Sequence, residues 1–328
     1  MPELRVVVVG AGAIGGWLAA RLGLSGVDVG LLARGASLQR VREQGLVLEE
    51  GGQTQQLRLR VSDDPQELGQ HDLVVLAVKG QQLAGAAPQV AALLAPEGKV
   101  LTAMNGVPWW FFDDRPVQAV DPGGAVHRLL PPERVLGAVV HASCQAPQPG
   151  CIRHVMGQGW LIGDPAQPGS EAERAAVDLL CRAGFEAQPS ADIRAALWYK
   201  LWGNATTNPI SALCGVTTDR ILDDALVCRF TDACMHELAA IGARVGCPVA
   251  QTPADRHAIT RRLGAFKTSM LQDREAGRSL ELDALLAAPR EIAQQVGVPT
   301  PMLDALHGLA RLIQTRSTAP DPTPAAQS

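Results

Sequence analysis

The sequence predicts an α/β protein in which an N-terminal parallel-sheet domain is followed by an all-α C-terminal domain, and three observations carry that prediction. Up to about residue 188, short apolar runs alternate with segments of helical period. From Ser190 onward the strand signals stop. A glycine triplet, Gly10, Gly12 and Gly15, stands between the first apolar run and the first helical segment. Buried Val/Leu strands that alternate with helices imply a parallel sheet covered on both faces.

The strand candidates, in order, are LRVVVVG (4–10), VDVGLLAR (27–34), DLVVLAVK (72–79), KVLTAMN (99–105) and RVLGAVVHA (134–142). Helices are expected between them at about 13–24, 36–45 and 81–93. The runs CIRHV and GWLIGD and a helical stretch near 169–183 complete this domain, which is expected over 1–188. Helices at about 190–213, 216–223, 225–246, 253–272, 279–296 and 300–314 then make a second domain over 189–315. The final stretch, 316–328, mixes Pro, Ser, Thr and Ala without periodicity and is expected to be disordered.

A chain of 328 residues, 47% hydrophobic, can bury two cores. Its net charge is −4 and its Lys and Arg residues form no basic run, which argues against nucleic acid and against a membrane surface as partners. Val6 to Ala20 is uncharged but too short for the roughly 20 residues of a bilayer span. The seven cysteines are odd in number and contain no C-x-x-C pair, as expected of packed, unpaired thiols, and a cytoplasmic protein is expected.

VVVVGAGAIGG places the three glycines as G-x-G-x-x-G at a strand-to-helix turn. Gly10 permits the turn, Gly12 admits a pyrophosphate to the backbone, and Gly15 allows close helix packing. The helix N-terminus around Ala11, Ala13 and Ile14 offers free N–H groups and positive potential. The context predicts a Rossmann-type dinucleotide site, the alternative being a merely structural glycine turn. The second strand ends in LLARG, so Arg34 stands where a carboxylate would bind the ribose of NAD. A guanidinium there suits the 2′-phosphate of NADP, the alternative being a solvated surface arginine. Lys79 and Asn105 end the third and fourth strands, at the edge where ligands bind in open α/β sheets. Lys79 fits equally a polar strand end that reaches water.

In ALWYKLWGNATTNPISAL, Lys200, Asn204 and Asn208 recur every four residues and span roughly 80° of one helix face. Their neighbours are largely apolar, so the stripe is expected to face a cleft. A lysine whose pKa is lowered by partial burial can protonate a developing alkoxide, and amides can orient a substrate. The plainer alternative is a snorkelling lysine with asparagines bonded to backbone. Ser269 and Glu281 are candidate ligand groups in a second polar cluster, 267–285, whose Asp273, Arg274, Glu275 and Arg278 fit an exposed ion-paired face equally well.

Five motifs in order, VVVVGAGAIGG, LAVKGQQ with NGV, LWYKLWGNATTNPISAL, TSMLQDREAGRSLELDAL and GVPTP, resemble those of the ketopantoate reductases (2-dehydropantoate 2-reductases) over nearly the whole chain. The resemblance implies an NADPH-dependent enzyme that reduces 2-dehydropantoate to pantoate, a step toward pantothenate and coenzyme A. It implies a Rossmann domain followed by a helical domain, with the active site in the cleft between them. Lys200 then matches the proton donor, and Asn204, Asn208 and Ser269 match substrate-binding residues. Gly10, Ala11, Gly12, Ala13, Ile14, Gly15, Arg34, Lys79, Asn105, Ser143 and Glu281 correspond to NADP contacts. The expected partner is a small 2-oxo acid, and a homodimer is compatible with the family. Thr218, Phe266 and Leu286 depart from the family pattern, and PWWFF (108–112) follows Asn105. Together these point to a larger or less polar 2-oxo acid or ketone as the alternative substrate, and a non-catalytic NADPH sensor is the alternative of another class.

Overall fold

The computed structural model describes residues 4–318, with side chains through residue 314. The chain divides into two compact units, residues 1–198 and 199–328. Of the tail expected over 316–328, residues 319–328 lie outside the described ones.

In the first unit the chain runs β1 (Val6–Val9), α1 (Ala13–Leu24), β2 (Val29–Leu32), α2 (Gly35–Gln44), β3 (Leu46–Glu50), β4 (Gln53–Leu57), β5 (Arg60–Ser62), α3 (Pro65–Leu68) and β6 (His71–Leu76). It continues α4 (Leu83–Leu93), β7 (Leu94–Thr102), α5 (Ala125–Leu129), β8 (Val135–Gln148), β9 (Cys151–Gly163), α6 (Glu171–Arg182) and β10 (Glu186–Pro189). The strands form one sheet in the order β4-β3-β9-β8-β7-β6-β1-β2-β5, with β10 also paired to β9. Strand β1 lies parallel between β2 and β6, Val6 opposite both Val29 and Leu73. The sheet is therefore mixed: a parallel centre carries two antiparallel pairings, β3 with β4 and β8 with β9.

The pleat of β1 explains why the sheet is covered on both sides. Val6 and Val8 enter one apolar cluster with Trp17 and Leu18 of α1, while Val7 and Val9 enter the opposite one with Leu83 and Val90 of α4. Alternate side chains of one fully buried strand thus serve two cores. A polar cluster bridges the sheet edge and α1. Glu50 accepts from Trp17 Nε1 at 3.0 Å and from Arg21 Nε and Nη2, each at 3.0 Å, and the Trp17 ring stacks on His154 at 4.8 Å.

The second unit is helical. Helix α7 (Ile193–Cys214) runs into it and is followed by α8 (Thr218–Asp223), α9 (Ala225–Arg244), α10 (Pro253–Arg261), α11 (Ser269–Glu275), a π-turn (Asp283–Ala287), α12 (Ala288–Val296) and α13 (Pro301–Thr318). Trp202 of α7 donates to the Met235 carbonyl of α9 at 2.8 Å. Glu237 of α9 accepts from the N–H groups of Met302 and Leu303 at 2.9 Å, which caps α13 from another helix. The single helix expected over 253–272 is two: Gly264, at φ +62°, breaks it, and Thr268 caps the second piece through Leu271 N at 3.1 Å. No helix among the described residues is long and apolar enough to cross a membrane, and all seven cysteines are free thiols.

Candidate active site

In the first unit the glycine turn answers three separate steric demands. Gly10 has φ +107°, and a Cβ there would lie 2.7 Å from the Ala77 carbonyl oxygen. At Gly15 a Cβ would stand 2.0 Å from the Gly10 oxygen, so the approach of α1 to the turn excludes any side chain. Gly12 is different: a Cβ there would meet nothing within 4 Å. The protein's own packing explains Gly10 and Gly15, and the open space over Gly12 is what a dinucleotide's pyrophosphate requires. Gly12 is also the N-cap of α1 and supplies no side-chain cap, which leaves the first-turn N–H groups of Ala13 and Ile14 for an anion. These observations fit a dinucleotide.

The remaining candidates of this unit fall along one edge of the sheet. Arg34 follows β2 and is the N-cap of α2, exposed, with no acidic residue in the first turn of that helix. Lys79 follows β6 and Asn105 follows β7, both half-buried. Strand β8 pairs with β7 through Val135 to Gly137, so Ser143, six residues on, extends past the same edge. The hairpin is irregular there, with register shifts on both sides of Ser143.

In the second unit α7 presents the stripe. Lys200 and Asn204 are half-buried and Asn208 is buried, while Leu201, Trp202, Ala205 and Ile210 are buried apolar neighbours. Burial pushes the Lys200 ammonium down to about 8; the nearby positive charge of Arg256 lowers it further, and the Glu281 carboxylate opposes both. That is the value a general acid needs near neutral pH. Glu281 lies just ahead of the π-turn, and Pro289, which has no N–H to offer its helix, follows that turn in the first turn of α12. Ser269 opens α11 and is exposed; Thr268 does the capping, so the Ser269 hydroxyl is not consumed by the helix terminus.

Arg256, of α10, carries a signal the sequence did not disclose. Its guanidinium carbon lies 5.2 Å from the Tyr199 ring centroid, and its Nη1 donates to Tyr199 Oη at 3.5 Å. One residue on, His257 Nε2 bonds Asp232 Oδ1 of α9 at 2.6 Å and ties α10 in place. Cys228 also stands within 4.8 Å of that pair.

The polar cluster 267–285 divides. Lys267 pairs with Glu275 at 2.8 Å and Arg278 with Asp273 at 2.9 Å, while Arg274 donates to the carbonyls of Ala212 and Leu213 that end α7. These residues pair among themselves or with the end of α7, and Ser269 stands exposed at the start of α11.

Most of the aromatic residues after Asn105 are packed inside the first unit, and Phe112 among them is half-buried. Trp109, Trp110 and Phe111 are at most 2% exposed. Trp109 donates to the Leu130 carbonyl at 2.9 Å, Trp110 to Thr102 Oγ1 at 3.2 Å, and the Trp110 ring fills the space over Gly137. A buried indole needs a partner for its N–H, and the sheet provides one. Thr218 is likewise buried: its N–H donates to the Phe266 carbonyl at 3.1 Å and its hydroxyl to the Gly264 carbonyl at 3.3 Å. Leu286 is fully buried. The hydroxyl of Thr218 and the side chain of Leu286 are therefore engaged in packing within the helical unit.

Residues 6–167 match the family model described as ketopantoate reductase PanE/ApbA, and residues 192–314 match the model of its C-terminal domain. The chain is 40% identical over 316 residues to a 2-dehydropantoate 2-reductase of Mesorhizobium japonicum, covering 94% of this chain and 97% of that one. A crystal structure of a candidate ketopantoate reductase from Ralstonia solanacearum MolK2 superposes with a TM-score of 0.93 at 48% identity, over 96% of this chain and 98% of that one. The ternary structure of a D-mandelate dehydrogenase with NADH and anilino(oxo)acetate shares the fold at a TM-score of 0.84 and 21% identity, over 96% and 100% of the two chains.

Proposed function

Because the chain belongs to the ketopantoate reductase family, we propose that it is an NADPH-dependent reductase of a 2-oxo acid, 2-dehydropantoate foremost, which yields pantoate as a step toward pantothenate. The observation that carries this reading is Lys200, a half-buried lysine held near pKa 8 on a helix face that also bears Asn204 and Asn208. A dihydronicotinamide bound by the first unit would supply the hydride. The Lys200 ammonium hydrogen-bonds the carbonyl oxygen, polarises it, and gives up its proton as that oxygen becomes a hydroxyl. Asn204, Asn208 and Ser269 hold the substrate by their amides and hydroxyl, and Glu281 supplies the negative charge that keeps Lys200 protonated at neutral pH. Gly10, Gly12, Gly15, Arg34, Lys79, Asn105 and Ser143 serve the dinucleotide; Arg34, with no carboxylate beside it at the end of β2, favours the 2′-phosphate of NADPH.

Steady-state oxidation of NADPH with 2-dehydropantoate tests the reading. Lys200→Ala is expected to lose about 10²–10⁴-fold in kcat/KM. Since the acid form is required for reduction, the wild-type rate should fall as pH rises through about 8. A mutant that turns over like wild type contradicts the role of Lys200. The D-mandelate dehydrogenase of the same fold makes aromatic 2-oxo acids the second substrate group to assay.

A further inference from the structure

Helix α7 carries a buried glycine, Gly203, well inside its 22 residues. Glycine there costs roughly 1 kcal/mol relative to alanine, so its presence asks for a reason. The reason is a neighbour. A Cβ at Gly203 would lie 2.6 Å from both Nε and Nη2 of Arg256 and 2.9 Å from its Cζ. The guanidinium occupies the notch that the missing side chain leaves.

Three further contacts fix that group. It lies over the Tyr199 ring, whose hydroxyl in turn donates to Gln251 Oε1 at 2.6 Å. Helix α10 is anchored at its start by a reciprocal capping box between Thr252 and Asp255. The His257–Asp232 bond then secures the next residue to α9. Arg256 therefore rests on the turn of α7 from Tyr199 to Gly203, the turn that carries Lys200.

Arg256 has contacts to neutral groups and, among the described residues, none to a carboxylate. Among the described residues no carboxylate lies within ion-pair distance of Arg256, and its buried Nε has no hydrogen-bond partner. Lys200 and Arg256 are two cations against one nearby carboxylate, Glu281. A desolvated site with a surplus cation selects an anion. In a 2-oxo acid the carboxylate is one bond from the ketone carbon, so a cation that holds the carboxylate must stand beside the group that protonates the ketone oxygen.

We propose that Arg256 is a substrate-binding residue: seated in the Gly203 notch beside Lys200, it takes the carboxylate of the 2-oxo acid and leaves Lys200 for the carbonyl oxygen. This rests on the reading of the site as a 2-oxo acid reductase. A guanidinium suits the task because its planar fork meets both carboxylate oxygens, which a lysine cannot do.

The test compares 2-dehydropantoate with its methyl ester, which keeps the ketone and lacks the charge, in wild type, Arg256→Met, Arg256→Lys and Gly203→Ala. Arg256→Met should raise KM for the acid about 10–100-fold with a smaller effect on kcat, and the ester should lose far less. Arg256→Lys should recover part of the loss. Gly203→Ala favours the helix and pushes the guanidinium from its seat, so it should shift the acid-to-ester preference in the same direction with no loss of thermal stability. Equal losses on acid and ester, or an unchanged KM for the acid, overturn the assignment alone. Failure of the wild type to reduce any 2-oxo acid overturns the functional reading and this assignment with it.

Discussion

Lys200 shows how a buried ammonium works against stability. Its ammonium is held at about 8, against an ordinary value of 10.5, chiefly because burial strips water from the charge. Between those two values the unfolded chain binds the proton and the folded chain does not, so stability rises with pH across that window and the penalty is complete below it. Lys200→Met should therefore raise the unfolding free energy at pH 7 by on the order of 1–3 kcal/mol, with a gain that fades as pH approaches 10.5. Denaturant melts of both proteins at pH 7 and pH 10.5 measure this; a Lys200→Met protein less stable at pH 7 contradicts it. Arg34 makes a different prediction. The Arg34→Ala protein should lose much of its preference for NADPH over NADH while binding of NADH changes little, and ratios of Kd for the two dinucleotides check it; an unchanged ratio removes Arg34 from cofactor choice. The stripe of Lys200, Asn204 and Asn208 was legible because a 3.6-residue period projects it onto one face. Arg256 was not, since its partners Tyr199 and Gly203 lie more than fifty residues away and only packing joins them.

At the scale of the element, the turn between β1 and α1 separates, within six residues, glycines that packing demands from one that it does not. Gly15→Ala would drive a Cβ to 2.0 Å from the Gly10 oxygen and should lower stability by several kcal/mol, with a matching fall in Tm. Gly12→Ala meets only open space, so the protein should melt near wild type and yet lose affinity for NADPH. Equal NADPH affinity in Gly12→Ala and wild type would show that the space over Gly12 is not used. The central strands β1, β2, β6, β7 and β8 were readable as apolar runs because they are buried on both faces. The hairpin of β3 and β4 was missed: β4 is QTQQL, mostly exposed, and offers no apolar period. Its signal was the Gly51–Gly52 pair, both with positive φ, a turn that suits the twist of two antiparallel strands. Strand β10, four residues without a β-branched side chain, forms because β9 supplies a partner, and no local pattern announces it.

At the scale of the molecule, each unit has its own logic: a sheet whose edge gathers glycine, arginine, lysine and asparagine, and a helical body that keeps one lysine and one arginine in a largely apolar setting. Family membership was legible from five motifs in order, spread over nearly the whole chain. Substrate specificity was not. Aromatic residues beside a motif read as a binding surface, yet Trp109 and Trp110 satisfy their indole N–H groups inside the sheet unit, and composition alone does not separate a lining from a core. The most direct measurement is therefore NADPH oxidation by wild type and Lys200→Ala, across pH 6–10, with 2-dehydropantoate and aromatic 2-oxo acids as substrates. Reduction of 2-dehydropantoate that declines above about pH 8 and falls about 10²–10⁴-fold in Lys200→Ala is the predicted result. Equal turnover by the two proteins, or no oxidation with any 2-oxo acid, would contradict it.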